Sequence, residues 1–175
     1  MAKTYTAAGT VTAGDVYTAA AHNIIATDVN NLIVPPACRL IRATNQTIAN
    51  NTDTIISMSS AEYDTDSMAT TGASSRITIS TPGIYLITYE VKWTTGGTFG
   101  RIAFVGKNGT SLHLADARVT PTTGALFISS SAVASLIATD FLVPYVYQAS
   151  GGNVDMTTDN GYSCALTATW IGRTS

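Results

Sequence analysis

Along residues 85–93, apolar side chains take every odd position (Tyr85, Ile87, Tyr89, Val91 and Trp93) while Thr88, Glu90 and Lys92 hold even ones. Successive side chains of a strand point to opposite faces, so this period of two describes a strand with one face buried and one wet. On a helix the same residues would scatter around the axis and cover no core. Pro82-Gly83 places a turn immediately before the run. Residues 75–80 repeat the alternation through Ile77 and Ile79, with Arg76 on the other face. A strand of this kind must bury its apolar face against a second sheet, which points to an all-β antiparallel sandwich.

Later strands are apolar on both faces. Over residues 101–115, Asn108-Gly109 offers the two positive-φ residues of a type I′ hairpin turn. If Lys107 flanks Thr110, then Val105 faces Leu112, Ala103 faces Leu114 and Phe104 faces His113. Residues 125–128 and 141–147 are also apolar on both sides, and residues 162–171 carry Leu166, Ala168 and Trp170 on one face. A sheet with one solvated face should alternate, so the outer face of such strands is expected to be covered. With no helical pattern after Pro36, the expected cover is another copy of the chain in a closed oligomer. Tyr85, Tyr89, Phe104, His113, Phe127, Phe141, Tyr145, Tyr147 and Trp170 are the candidate core or interface residues. Pro144 predicts an edge or a bulge within its strand.

The first 35 residues read differently. Ala21, Ile25, Val29 and Leu32 recur near a 3.6-residue period, with Thr18 placed to cap the helix N-terminus. Pro35-Pro36 ends it and forces an extended exit. One short amphipathic helix is too small to fold alone, so residues 1–35 are expected to be an anchor or docking segment, with Val16 and the four periodic residues as its contacts, and 36–175 the folded domain.

Charged residues make up only 11% of the chain, which suggests that neighbouring subunits cover part of its surface. The net charge of −2 and the scattered basic residues give no footprint for nucleic acid. Neither a signal-peptide apolar region nor a run of about 18 apolar residues occurs, so synthesis in the cytoplasm and no membrane association are expected. Cys38 and Cys164 could meet if the first and last strands are neighbours, but buried free thiols are the favoured reading. His22 and His113 are the only histidines, and no nucleophile elbow, phosphate loop or zinc spacing accompanies them. No enzymatic activity and no cofactor are expected. Glu62, Asp64 and Asp66 form the one carboxylate cluster, a weak Ca²⁺ candidate, because calcium needs more oxygens than one loop supplies. A solvated turn is the favoured reading there.

Several motifs in order resemble the C1q/TNF-like jelly roll. They are Ala37-Cys38-Arg39-Leu40, the Asn45 to Thr52 stretch, Glu62-Tyr63-Asp64-Thr65, Pro82-Gly83-Ile84-Tyr85, Lys107-Asn108-Gly109, Leu136 to Val143 with Thr139 where glycine is usual, and Tyr145 to Gly152. The resemblance implies a homotrimeric antiparallel jelly roll over residues 36–173 and, in some members, bound Ca²⁺. No Gly-X-Y stalk precedes it. Instead Ala8-Gly9-Thr10-Val11 and Val16-Tyr17-Thr18-Ala19-Ala20 resemble N-terminal segments of small tailed-phage virion proteins. That implies a virion structural protein, a capsid decoration or a head or tail fibre, with capsid, portal or tail proteins as partners and the virion as its location. The alternative is a host-surface module that binds receptor or carbohydrate through apical loops at 96–100, 120–124 and 149–159.

Overall fold

A computed structural model describes residues 16, 18–94, 100–109, 126–157, 161 and 164–174, and the backbone of 113–119. Helix α1 (Ala19–Ile33) precedes β1 (Ala37–Arg42), β2 (Gln46–Ile48), β3 (Thr54–Ile55), β4 (Ser60–Asp64), β5 (Ala69–Thr70), β6 (Arg76–Thr78) and β7 (Gly83–Trp93). The chain continues through β8 (Arg101–Lys107), β9 (His113–Val119), β10 (Leu126–Leu136), β11 (Phe141–Gln148), β12 (Val154–Met156) and β13 (Cys164–Gly172).

These strands form two antiparallel sheets. In the first, β7 lies between β10 and β13, β13 carries β1 and then β4, and β12 joins β7 to β2. The second runs β5-β6-β11-β8-β9, with β3 also on β11. The chain crosses between the sheets from β7 to β8, from β9 to β10 and from β10 to β11, and the first and last strands, β1 and β13, are neighbours. This is the antiparallel sandwich that the alternation predicts, in the jelly-roll arrangement that the resemblance implies, with one helix among the described residues.

The odd residues of β7 make the first sheet's contribution to the core: Tyr85, Ile87, Tyr89, Val91 and Trp93 are all buried, against Ile77, Val105, Leu142 and Val146 of the second sheet. The Tyr89 hydroxyl donates to the Tyr145 carbonyl at 3.1 Å, so it ties one sheet to the other, and the Tyr85 hydroxyl satisfies itself on the Thr81 carbonyl at 2.6 Å. A fully buried tyrosine needs such a partner, since an unmade hydrogen bond costs about 1–3 kcal/mol. Arg101 closes one end of the core with its guanidinium 4.8 Å over the Trp93 ring.

Three expectations are corrected, and the favoured reading of Cys38 and Cys164 as buried free thiols holds. The turn residues Asn108 and Gly109 do have positive φ, 55° and 70°. The hairpin register nevertheless differs: Gly106 pairs with His113, Phe104 with Asp116 and Ala103 with Ala117. A bulge between Phe104 and Gly106 absorbs the offset, and the turn is tied sideways instead, Asn108 donating to Asp140 at 2.7 Å and accepting from Phe141 N at 2.8 Å. Pro144 lies on neither an edge nor a bulge of β11. Its carbonyl accepts from Ile56 N on the side where β6 has ended and β3 begins, so its missing N–H falls in a gap between two partners. Cys38 sits opposite Ala168 and Cys164 opposite Arg42, roughly 13 Å apart along the strands at the usual rise, so no disulfide can form between these free thiols. In the stretch 125–128, residue 125 lies outside the described residues, and the rest alternates: Ile128 is buried and Phe127 exposed.

Candidate interaction surfaces

The outer face of the first sheet is built from the even residues of β7 and the residues that flank them. Leu86 lies between Val133 of β10 and Thr169 of β13, and Thr88 between Ser131 and Thr167, with Arg39 beyond. Glu90 lies between Ser129 and Ala165, and Lys92 beside Phe127. Serine, threonine and alanine therefore fill the middle of the face, and apolar residues stand at its ends. Phe127, Val133, Ile171 and Leu86 are 67, 62, 53 and 38% exposed.

The charges on this face are few and answer one another. Arg39 Nε is 2.8 Å from Glu62 and Nη2 2.8 Å from Glu90, while Nη1 donates to Thr167 at 3.3 Å. Glu62 is 55% exposed, so its pair with Arg39 contributes at most about 1 kcal/mol. Between Arg39, Thr88, Glu90, Ser129 and Ser131 the face is indented by a cleft of about 330 Å³. Lys92 lies 4.8 Å over the Phe127 ring, its stem buried along the sheet.

The second sheet presents a different outer face. Phe104, 4% exposed, stacks on Tyr145 with ring centroids 5.1 Å apart, and Val143 is buried beside them. Phe141 lies under the Arg76 guanidinium at 5.2 Å, and the Tyr147 hydroxyl donates to Asn51 at 3.1 Å. Much of the apolar outer face of β8 and β11 is thus covered within one chain, which corrects the expectation that a second copy must cover it. One end of this sheet is locked by Asp140, which accepts from Lys107 at 2.7 Å, Asn108 at 2.7 Å and Ile137 N at 2.9 Å. Burial pushes the Asp140 carboxyl up, but these donors outweigh it and hold it below the usual carboxylate range. Thr139 beside it, at the position where the resembled motif has glycine, adopts a left-handed φ of 76°.

Of the candidate site residues, Tyr85, Tyr89 and Trp170 belong to the core and Phe104 to the covered outer face of the second sheet. Phe141, Tyr145 and Tyr147 are half-buried, and Phe127 stands out on the first sheet. His113 contributes a described backbone in β9, and its side chain lies outside the described residues. Sequence periodicity missed Leu86, Val133 and Ile171 as surface residues; their signal was a large apolar residue on the outward face of a strand whose other face is buried. The loops at 96–99, 120–124 and 158–159 lie outside the described residues.

The three carboxylates do not converge. Asp64 accepts from the backbone N–H groups of Asp66, Met68 and Ala69, Asp66 is buried and accepts from Thr81 at 2.7 Å, and Glu62 turns to Arg39. The loop is the solvated turn expected for Glu62 and Asp64, which are exposed, while Asp66 is buried and hydrogen-bonded. Among the described residues no three His, Cys, Asp or Glu side chains are grouped to hold a metal ion. Burial, with the charge of Asp64 added, pushes the Cys38 thiol up to about 12, which makes it an inert packing group.

The N-terminal helix forms as predicted. The Thr18 hydroxyl accepts from Ala21 N at 3.2 Å, and the helix stops before Pro35-Pro36. None of its residues is fully buried: Ile25, Val29 and Leu32 are exposed, Ala21 is half-buried, and Val16 upstream is exposed. No helix among the described residues is long and apolar enough to cross a membrane.

No protein-family model and no curated protein sequence matches this chain. Solved structures do. The globular domain of a zebrafish complement 1qA protein superposes with a TM-score of 0.55 at 14% identity, over 79% of this chain and 99% of that one. The Eiger TNF of S. frugiperda superposes with a TM-score of 0.61 at 10% identity, over 80% of this chain and 96% of that one. At such low identity the likeness carries the fold alone: with the strand order above, it shows that this chain adopts a jelly-roll fold similar to that of the C1q and TNF domains.

Proposed function

We propose that the chain is the subunit of a homotrimeric, non-enzymatic structural protein of a tailed-phage particle, a capsid decoration or short fibre. In this reading its first sheets pack together and residues 1–35 hold it to the particle. The observation that carries self-association is the outer face of the first sheet, where exposed Leu86, Val133 and Ile171 border a field of serine, threonine and alanine. The centre of a protein interface is depleted of charge in this way, whereas a surface that stays wet is not. C1q/TNF-like domains commonly trimerise, and a closed threefold assembly would cover this face on every copy. The particle reading rests on the resemblance of residues 8–11 and 16–20 to phage virion segments. Three such segments on one trimer would bind a symmetric site with far greater avidity than one.

Solution mass tests the assembly. The chain should run near three times its 18.2 kDa, and the double substitution Leu86→Asp with Val133→Asp should return it to a single copy without unfolding it. Removal of residues 1–34 should leave the trimer intact and abolish binding to the particle. A parent chain that runs as a monomer would refute the assembly, and a truncated trimer that still binds would refute the attachment.

A further inference from the structure

We infer that the apolar stripe of α1 is closed by the same stripe of the other two copies, in a short parallel three-helix coil that prolongs the trimer axis. The inference rests on the homotrimer reading and leaves residues upstream of the helix for attachment. Three observations lead to it.

The first is spacing. His22, Ile25, Val29 and Leu32 follow one another at three, four and three residues, the a-d-a-d order of a heptad repeat, with the capping Thr18 at the preceding d position. Over a helix of 15 residues a 3.5-residue seam and a 3.6-residue stripe drift apart by only about 20° per heptad, so the same stripe can wind onto a like helix. Val29 at a and Ile25 and Leu32 at d supply knobs of the right kind, and the polar His22 at a can fix the register. Asp28 is the only acidic side chain in the helix, and the helix holds no lysine or arginine, so no like-charge pair along the seam opposes association.

The second is the hinge. Between the helix and β1 the chain has no slack: the Thr65 hydroxyl donates to the Pro35 carbonyl at 2.6 Å and accepts from Ala37 N at 2.8 Å, and Trp170 N donates to the Pro36 carbonyl at 2.9 Å. Pro36 itself is buried. The exit of the helix is therefore pinned to the sandwich, and none of the helix's own residues is fully buried.

The third is place. Ala37 pairs with Thr169, and Thr169 with Leu86, which pairs in turn with Val133. The helix thus springs from the apolar end of the very face proposed to meet the other copies, so the stripe continues that surface. A lone helix of 15 residues is marginal in water, and closing its stripe would stabilise it.

Cysteine cross-linking in the full chain tests this, because the native Cys38 and Cys164 are buried. Ile25→Cys lies at d on the seam and Thr27→Cys at f on the opposite side. Under mild oxidation, Ile25→Cys should link two chains of each trimer at least roughly tenfold faster than Thr27→Cys, since seam residues share a high effective concentration. Equal rates, or no link at position 25 in a chain that still runs at three copies, would overturn the coil and leave the trimer standing. A parent chain that runs at the mass of one copy would overturn both.

Discussion

The outer faces of the two sheets both carry large apolar residues and differ in what covers them. On the second sheet Phe104, Val143 and Tyr145 close over one another, and the Lys107, Asn108 and Asp140 cluster seals the adjoining turn within the chain. On the first sheet Phe127, Val133, Leu86 and Ile171 stand apart across a serine- and threonine-rich field, too far spread to shield one another. Two-sided apolarity along a strand therefore reports that a face is buried and not which molecule buries it. The alternating strands β7 and β10, which look like ordinary half-wet strands, are the ones that leave apolar surface open.

Paired truncations would break or sharpen this contrast. Phe104→Ala removes a covered ring, so it should lower unfolding stability by about 3–5 kcal/mol in denaturant titration while the oligomeric mass stays unchanged. Phe127→Ala on the exposed face should change the stability of the single chain by less than about 0.5 kcal/mol and act, if anywhere, on association. A small effect at Phe104 would mean that its ring is not packed within the chain, and the distinction between the faces would fail.

Gly83→Ala probes how the first sheet is anchored at its apolar end. A Cβ there would fall 2.0 Å from Trp170 Nε1 and 2.6 Å from the Gly172 carbonyl, so the indole that donates to the Pro82 carbonyl would have to move. We expect a loss of about 2–3 kcal/mol in thermal or chemical unfolding. A neutral result would show that Trp170 can swing aside at no cost.

The smallest effect concerns the seal on the second sheet and depends on pH. Because the folded Asp140 carboxyl titrates below its ordinary range, its contribution is fully present above the unfolded pKa and is lost as pH falls through the folded value. Asp140→Asn should cost about 1–2 kcal/mol near neutrality, the worth of one or two charge-assisted hydrogen bonds. In melting curves taken at decreasing pH, the gap from wild type should close below about pH 4. A gap that persists unchanged into acid would mean that the ionised form is not what holds the turn.

Much of this molecule is legible in its sequence because it is local. Alternation marks β7, Asn108-Gly109 marks the positive-φ turn, and Thr18 with Pro35-Pro36 brackets the helix, each through the conformational preference of a few adjacent residues. The hairpin register was not legible, since a bulge near Val105 shifts it and side-chain bonds tie Asn108 to Asp140 and Phe141, which are distant in sequence. Nor was the fate of the carboxylates at 62, 64 and 66, whose partners Arg39 and Thr81 are distant in sequence. By itself the sequence determined strand period, turn sites and a capped amphipathic helix, because these rest on short-range sterics and hydrogen bonding. Only the tertiary structure decided which apolar residues are spent inside the chain and which remain for a neighbour, because burial depends on what packs across from each face, and that is settled only when the two sheets close.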